Sequence, residues 1–432
     1  MSKNFYFDVI IAGGGPAGAS AAIHLANRGA RVLLLEQKKF PRAKLCGEFI
    51  SPECTPHFER LGVAERMFAA DPVRLTETVF YSRQGKRVSV PSSWFGAEGV
   101  ALGLSRAEMD ERLLRRASEA GAVVMENAQV VDLLLEQDRV KGVKAKHAAK
   151  LTNYYAPVTI DATGRARALA RRVAKSQHQT TSHRAPLVAF KAHLEGARVA
   201  PGACEIYFYR GGYGGLSSIE KGLSNLCFIA SARAVRECGA DAERVMHDIV
   251  CQNRRAASAL VDARACTPWL AVSLEGFGRH AVTPARGLLS IGDAASFIDP
   301  FTGSGMLMAL ESGELAANVI GEQMYGTATR RGDAPVHAAP SFSSVAGGPL
   351  ATASGSVMSD LESRYRAAYK DRFDSRLRIC SMIRRAAFVP GLAQFAIRVF
   401  GASDRLRRRV SWATRGGEPE TYSLSERLDN GR

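Results

Sequence analysis

"FDVIIAGGGPAGASAAIHLANRGARVLLLEQ", residues 7–37, decides the fold. Residues 8–12 read as a short buried strand whose residues 9–12 are apolar with no polar alternation, as expected in a parallel sheet covered on both faces. Gly13, Gly15 and Gly18 follow with G-x-G-x-x-G spacing. The first glycine permits a tight turn, the second lets backbone approach a pyrophosphate, and the third lets helix and strand pack closely. An Ala-rich helix is expected over residues 17–28, stopped by Gly29, with a second buried strand at 31–35. The start of that helix turns unpaired N–H groups and positive potential toward phosphate. Glu36 ends the second strand about twenty residues after the glycines, where a carboxylate suits two ribose hydroxyls and repels a 2′-phosphate. The stretch predicts an adenine dinucleotide other than NADP, bound by a doubly wound α/β unit.

Which dinucleotide is decided far downstream, in "LLSIGDAASFIDPFTGSGM", residues 288–306. A strand ends in Gly292-Asp293, and Pro300, Gly303 and Gly305 lead into a helix. This resembles the second FAD fingerprint of glutathione-reductase-type flavoproteins. The resemblance implies that Asp293 accepts a hydrogen bond from the ribitol chain. It also implies that the helix start at Gly303 and Gly305 aims N–H groups at the flavin pyrimidine, where negative charge gathers on reduction. In the same fold the residue matching Arg106 contacts the FAD phosphates, and the strand segment at Val130 lines the adenine slot.

"FPRAKLCGEFISPE", residues 40–53, resembles the PRxKxCG segment of the geranylgeranyl reductase family through Pro41, Arg42, Lys44, Cys46 and Gly47. That resemblance implies a segment lying against the flavin with its cysteine facing the reaction cavity. Arg42 and Lys44 bring positive charge to phosphate or anionic flavin. A cysteine among basic groups is suited to nucleophilic or proton-donor chemistry. Cys46 and Glu48 are therefore the catalytic candidates, as proton donor and relay; a packed cysteine and a salt-bridge partner are the alternatives. The chain departs from the family at residues 211–225, "GGYGGLSSIEKGLSN", which has Tyr213 but no Trp and no Phe-Pro. The substrate is therefore expected to differ from a diphosphate-linked prenyl chain. Asp161-Ala162-Thr163-Gly164-Arg165 replaces the Asp-Gly pair of aromatic hydroxylases. Flavin halogenases carry a WxWxIP stretch that is missing here, and no Lys lies between His57 and Arg83; halogenation is disfavoured.

With 432 residues and 46% hydrophobic content the chain is globular in class. No apolar run reaches the 18 or so residues of a membrane span. Its eight cysteines include no CxxC pair, so neither a metal site nor a disulfide framework is expected, and the cytoplasm is the expected compartment. The net charge is +16, and residues 364–415 hold fourteen Lys/Arg against three Asp/Glu. Phe388, Leu392, Phe395, Ala396 and Val399 make an apolar stripe ahead of "RLRRRVSW". The pattern suits a helix on an anionic membrane surface and equally a core-packed helix with a basic outer face.

The expected architecture is α/β. A Rossmann-like FAD-binding domain spans residues 1–180 and 286–326, with a mostly antiparallel β-sheet substrate domain inserted at 181–285. A flexible Ala/Ser/Gly/Pro-rich insert at 327–358 precedes a basic helical C-terminal region at 359–432. The expected function is that of an FAD-dependent oxidoreductase acting on a hydrophobic prenyl, lipid or polyketide-like small molecule. Reduction of C=C by hydride from reduced flavin is favoured. The alternative is a monooxygenase using a flavin hydroperoxide. No second dinucleotide motif identifies the electron donor, which is left open between NAD(P)H and a reduced carrier. Nucleic acid is not an expected partner, because no aromatic-basic reading module accompanies the basic tail.

Overall fold

The computed structural model describes residues 5–96, 99–175, 187–325, 355–387, 397 and 399–415. Its centre is a five-stranded parallel sheet in the order Leu288–Ser290, Val158–Asp161, Val9–Ala12, Val32–Leu35, Val123–Met125. Both faces are covered, which is why the central strands Val9–Ala12 and Val32–Leu35 are apolar throughout. Val9, Ile11, Val32 and Leu34 face helices Pro16–Ala26, Arg106–Glu119 and Gly305–Tyr325. Ile10, Leu33 and Leu35 face Val140, Val143 and Tyr154. The latter belong to a four-stranded sheet containing Gln129–Glu136, Arg139–His147 and Lys150–Tyr155.

The turn after Val9–Ala12 fits only glycine. Gly13 has φ +110°, and a Cβ at Gly18 would lie 1.9 Å from the Gly13 carbonyl oxygen. Helix Pro16–Ala26 therefore starts directly at the strand end, with its first N–H groups turned outward.

A second, eight-stranded sheet stands over the C-terminal ends of the parallel strands. Leu187–Glu195, Ser224–Ser231, Gly212–Ser218 and Ala203–Tyr209 form its antiparallel centre. Two further strands, Glu77–Tyr81 and Arg87–Pro91, come from the segment that the sequence assigns to the first domain. Glu77–Tyr81 pairs in parallel with Ala203–Tyr209, so the sheet is not made from residues 181–285 alone. Three short helices, Ala232–Glu237, Ala242–Asp248 and Arg254–Ala259, interrupt the β character expected of that region. They help close the back of the sheet, where Tyr207, Phe190 and Phe228 are buried. Period-two alternation sends Phe80, Phe208, Tyr213 and Ile229 to the opposite face.

Helix Gly355–Ala387 docks onto the parallel-sheet unit. The Tyr365 hydroxyl donates to the Ser290 carbonyl at 2.8 Å, and Glu362 accepts from the Gly287 N–H at 2.7 Å. Helix Asp404–Ala413 follows. Residues 327–354 of the expected insert, and Phe388, Leu392, Phe395 and Ala396 of the expected apolar stripe, lie outside the described residues. Ile397 is buried within the cluster that contains Phe208 and Tyr213, so at that position the chain packs inward.

Candidate FAD and substrate site

A cavity of about 750 Å³ runs between the two sheets, within the range of ligand and cofactor pockets. Its lining includes every residue expected from sequence to bind the cofactor except Gly18, which is fully engaged behind Gly13. It also includes both catalytic candidates.

One end is built by the glycine turn. Glu36 is buried, and its carboxylate accepts from the Gly14 N–H and the Lys38 N–H, each at 2.9 Å. Val130, at the start of strand Gln129–Glu136, lines the same end with Ala128 and Gln129. Gly15 is bare of neighbours: a Cβ there would meet nothing closer than a guanidinium nitrogen of Arg106 and one of Arg42, each at 3.9 Å. Two cations thus flank a helix N-terminus across an open space, an arrangement suited to a pyrophosphate.

Arg106 is the better anchored of the two. It opens its helix behind the Ser105 cap, is buried, and forms a bidentate pair with Asp110 at 2.7 Å and 2.7 Å. Burial works against its charge, but Asp110 first and Cys46 second hold the guanidinium above its ordinary pKa. Arg42 sits over the Phe40 ring at 4.5 Å and lies 3.4 Å from Asp110, yet its buried Nη1 has no hydrogen-bond partner. The nitrogen that borders the open glycine turn is Nη2, 3.9 Å from where a Gly15 Cβ would lie, and a guanidinium so placed suits an anionic ligand. The residues fit the dinucleotide part of FAD.

Toward the middle, Asp293 lies in the turn Gly292–Ala294. Burial pushes its carboxyl up, while Arg165, Lys44 and Arg106 pull it back. Lys44 is open to the cavity, and its ammonium is lowered first by enclosure and then by Arg106, Arg42 and Arg165. Gly303, with φ +64°, and Gly305 lead into helix Gly305–Tyr325 beside these groups. The structure therefore brings the second fingerprint to the same cavity as the first.

The segment at residues 44–48 crosses from the nucleotide end to the eight-stranded sheet and is clamped there. Glu48 is 1% exposed, with φ +53°. Its carboxylate accepts from Lys191 Nζ at 2.5 Å and from the Arg106 N–H at 2.8 Å, and pairs with His193 Nε2 at 2.7 Å. Burial opposes ionisation of Glu48, but His193 and Lys191 win, and its pKa falls below the ordinary value. Lys191 also donates to the Lys44 carbonyl at 3.2 Å, and Asn225 Nδ2 to the Cys46 carbonyl at 3.1 Å. Glu48 is thus an ionised anchor. Cys46 is half-buried on the cavity wall, and its Sγ accepts from the Glu48 N–H at 3.4 Å.

Lys191 and His193 do not figure among the residues singled out from sequence. Their signal was "LVAFKAHLEG", residues 187–196: a lysine and a histidine two apart in an apolar strand share one face, and burying both requires a carboxylate.

Beyond Cys46 the cavity becomes apolar, walled by Phe80, Ile206, Phe208, Tyr213, Ile229 and Phe301. Tyr213 donates to Asp299, while the Phe301 N–H donates to the Tyr213 hydroxyl at 3.0 Å. Cys227 lines the same wall, its thiol raised to about 12 by burial first and by Cys46 second. Among the described residues no cluster of His, Cys, Asp or Glu could hold a metal ion, and no helix is long and apolar enough to cross a membrane.

Residues 8–189 match the family model for FAD dependent oxidoreductases. The chain is an FAD-dependent oxidoreductase. Its cofactor is FAD, and its relatives include both reductases and halogenases. It is 28% identical to a digeranylgeranylglycerophospholipid reductase of Methanosarcina mazei over 326 residues, covering 74% of this chain and 75% of the relative. It is also 28% identical to a flavin-dependent halogenase of Armillaria mellea over 352 residues, covering 74% and 68%. The flavin-dependent brominase Bmp2 superposes over 98% of both chains with a TM-score of 0.73 at 19% identity, a likeness of fold. The geranylgeranyl-reductase resemblance drawn from residues 41–47 is thus matched across most of the chain of this oxidoreductase. The α/β architecture agrees as well.

Proposed function

We propose that this oxidoreductase reduces an activated carbon–carbon double bond, one conjugated to an electron-withdrawing group, in a hydrophobic small molecule. The observation that carries the reading is the aromatic and aliphatic chamber that continues from the clamped segment at residues 44–48. An apolar ligand gains about 25 cal/mol per Å² of surface it buries there, and the described walls offer it few polar partners. FAD, when bound, supplies a hydride from its reduced ring. Gly13, Gly15, Glu36, Arg42, Arg106 and Val130 hold the adenosine and pyrophosphate in this reading, with Gly18 keeping the turn closed. Asp293, Gly303 and Gly305 hold the ribityl chain and ring. Glu48 acts through position: ionised and held by Lys191, His193 and the Arg106 N–H, it fixes the backbone that carries Cys46. The Cys46 thiol, open to the cavity, is the proton donor to the substrate carbon that the hydride leaves carbanionic. The match to a lipid reductase supports the same direction.

The test is anaerobic. The holoenzyme is reduced by light or dithionite and mixed with a prenyl or other long-chain substrate whose double bond is conjugated to a carbonyl. Flavin reoxidation with saturated product supports the reading. Substrate-stimulated oxygen uptake with oxygenated product replaces it by a monooxygenase. Cys46→Ser is expected to retain FAD but to slow the proton-dependent step by about 10²-fold or more; an unchanged rate removes Cys46 from the chemistry.

A further inference from the structure

We infer that helix Asp404–Ala413 is the anion-recognising wall of the substrate chamber, with Arg407 binding the carboxylate or phosphate head of an amphiphilic substrate. The inference deepens the proposed function and rests on the apolar chamber being the substrate site.

Arg407, Val410, Ser411 and Thr414 all line the cavity. Their spacing of three, four and seven puts them on one helical stripe, so this end of the chain turns a polar face toward an otherwise apolar space. The helix is seated against the substrate side. Trp412 Nε1 donates to the Trp94 carbonyl at 2.8 Å, and the Arg407 guanidinium lies 5.4 Å from the Trp94 ring centre. Trp94 closes the turn that follows edge strand Arg87–Pro91 of the eight-stranded sheet.

The charge of Arg407 is only weakly answered. Arg407 Nη2 bonds Asp404 at 2.7 Å, but the Asp404 side chain is 80% exposed, and such a pair contributes little. Arg407 Nε is buried and has no hydrogen-bond partner. Arg415, the next cation along, is already paired with both Glu53 oxygens at 3.1 Å. The acids that line the cavity are Glu36, Glu48 and Asp293. Glu36 serves the glycine turn, Glu48 serves Lys191 and His193, and Asp293 faces Arg165 and Lys44. No described carboxylate inside the chamber answers Arg407. A guanidinium on a cavity wall, held only by a solvent-exposed carboxylate, is completed by an anionic oxygen. The apolar walls meanwhile require a hydrocarbon tail. Head and tail together define an anionic amphiphile, and its head group enters beside the C-terminal helix.

The test uses the FAD-loaded protein and three probes below their micelle-forming concentrations: octanoate, octyl phosphate and octanol. Binding is read from perturbation of the flavin absorbance. At least one anion is expected to bind about tenfold or more tightly than octanol, the effect of one charge-assisted hydrogen bond. Octanoate and octyl phosphate separate the two head groups. Arg407→Gln is expected to abolish the preference while leaving octanol binding unchanged, and Arg407→Lys to retain part of it. Arg408→Gln, an exposed neighbour stacked 4.4 Å over the Trp412 ring, is expected to change nothing. The FAD-to-protein ratio and Tm of each variant establish that it is folded. Equal affinity for all three probes, or an anion preference that survives Arg407→Gln, overturns the assignment to Arg407 and leaves the apolar chamber standing. Silence from all three overturns the chamber reading and this inference with it.

Discussion

Arg42 and Arg106 look alike in sequence and differ in what they have left to give. Arg106 has satisfied two nitrogens on Asp110, whereas Arg42 lies 3.4 Å from the same carboxylate without hydrogen-bonding it and turns Nη2 toward the open glycine turn. Arg42→Ala is therefore expected to cost FAD binding about 1.5–3 kcal/mol, the worth of a charge-assisted bond, or roughly ten- to hundredfold in Kd. Flavin release on dilution measures it, and undiminished retention would move the phosphates away from this guanidinium. Glu48 behaves differently. Glu48→Gln leaves Lys191 buried without its counterion, at a cost of about 3–5 kcal/mol in stability, and adding Lys191→Met recovers much of that. The pKa of Glu48 in the fold lies below the ordinary 4.5, so its contribution is complete above about pH 4.5 and is lost as the pH falls through the folded-state value. Urea titrations at pH 7 and in acid are expected to show the gap between wild type and Glu48→Gln narrowing in acid; a constant gap would mean that Glu48 is not ionised in the fold.

At the scale of elements, the nucleotide helix Pro16–Ala26 carries its own acid sensitivity. His24, in its last turn, is lowered to about 4 by burial, against the pull of Glu314 on helix Gly305–Tyr325. The folded chain therefore holds fewer protons at this site than the unfolded one, and stability falls as pH drops from about 6.5 to about 4. His280 is lowered to about 4 as well, again by burial first, so His24→Gln is expected to flatten only part of that slope. Chemical denaturation across the window reads it. How legible each element was follows from where its partners lie. The glycine turn, its helix and the flanking strands were readable because every constraint falls within thirty-odd contiguous residues. Strands Glu77–Tyr81 and Arg87–Pro91 were not, since the parallel partner of the first begins at Ala203 and long-range pairing leaves no local trace. Helices such as Ala232–Glu237, six residues long, are too short to show a period. The candidate site was legible wherever a motif is contiguous, at residues 13–18, 41–48 and 292–305. It was illegible where a role depends on meeting a distant carboxylate, as with Lys191 on Glu48. The basic tail shows the same limit: composition revealed its charge, but only packing against Trp94 separates the inward Arg407 from its outward neighbours.

For the whole molecule, the cavity lies between sheets and draws its lining from residues 12 to 415. Cofactor bound across such a seam stabilises all that surrounds it. With free FAD at about a hundred times Kd the gain is about 2.7 kcal/mol, so stripping FAD is expected to lower Tm measurably and restoring it to raise Tm in proportion to the logarithm of FAD concentration. A Tm indifferent to FAD would mean that the seam holds without it. The order of the parallel sheet has a further consequence for biosynthesis. Strand Val9–Ala12 is made first, yet its neighbour Val158–Asp161 comes some 150 residues later and Leu288–Ser290 later still. A nascent chain on the ribosome thus displays the dinucleotide motif long before it owns a pocket. Chains terminated before Gly305 are expected to emerge colourless, and flavin to be acquired only once the second glycine-rich turn has emerged.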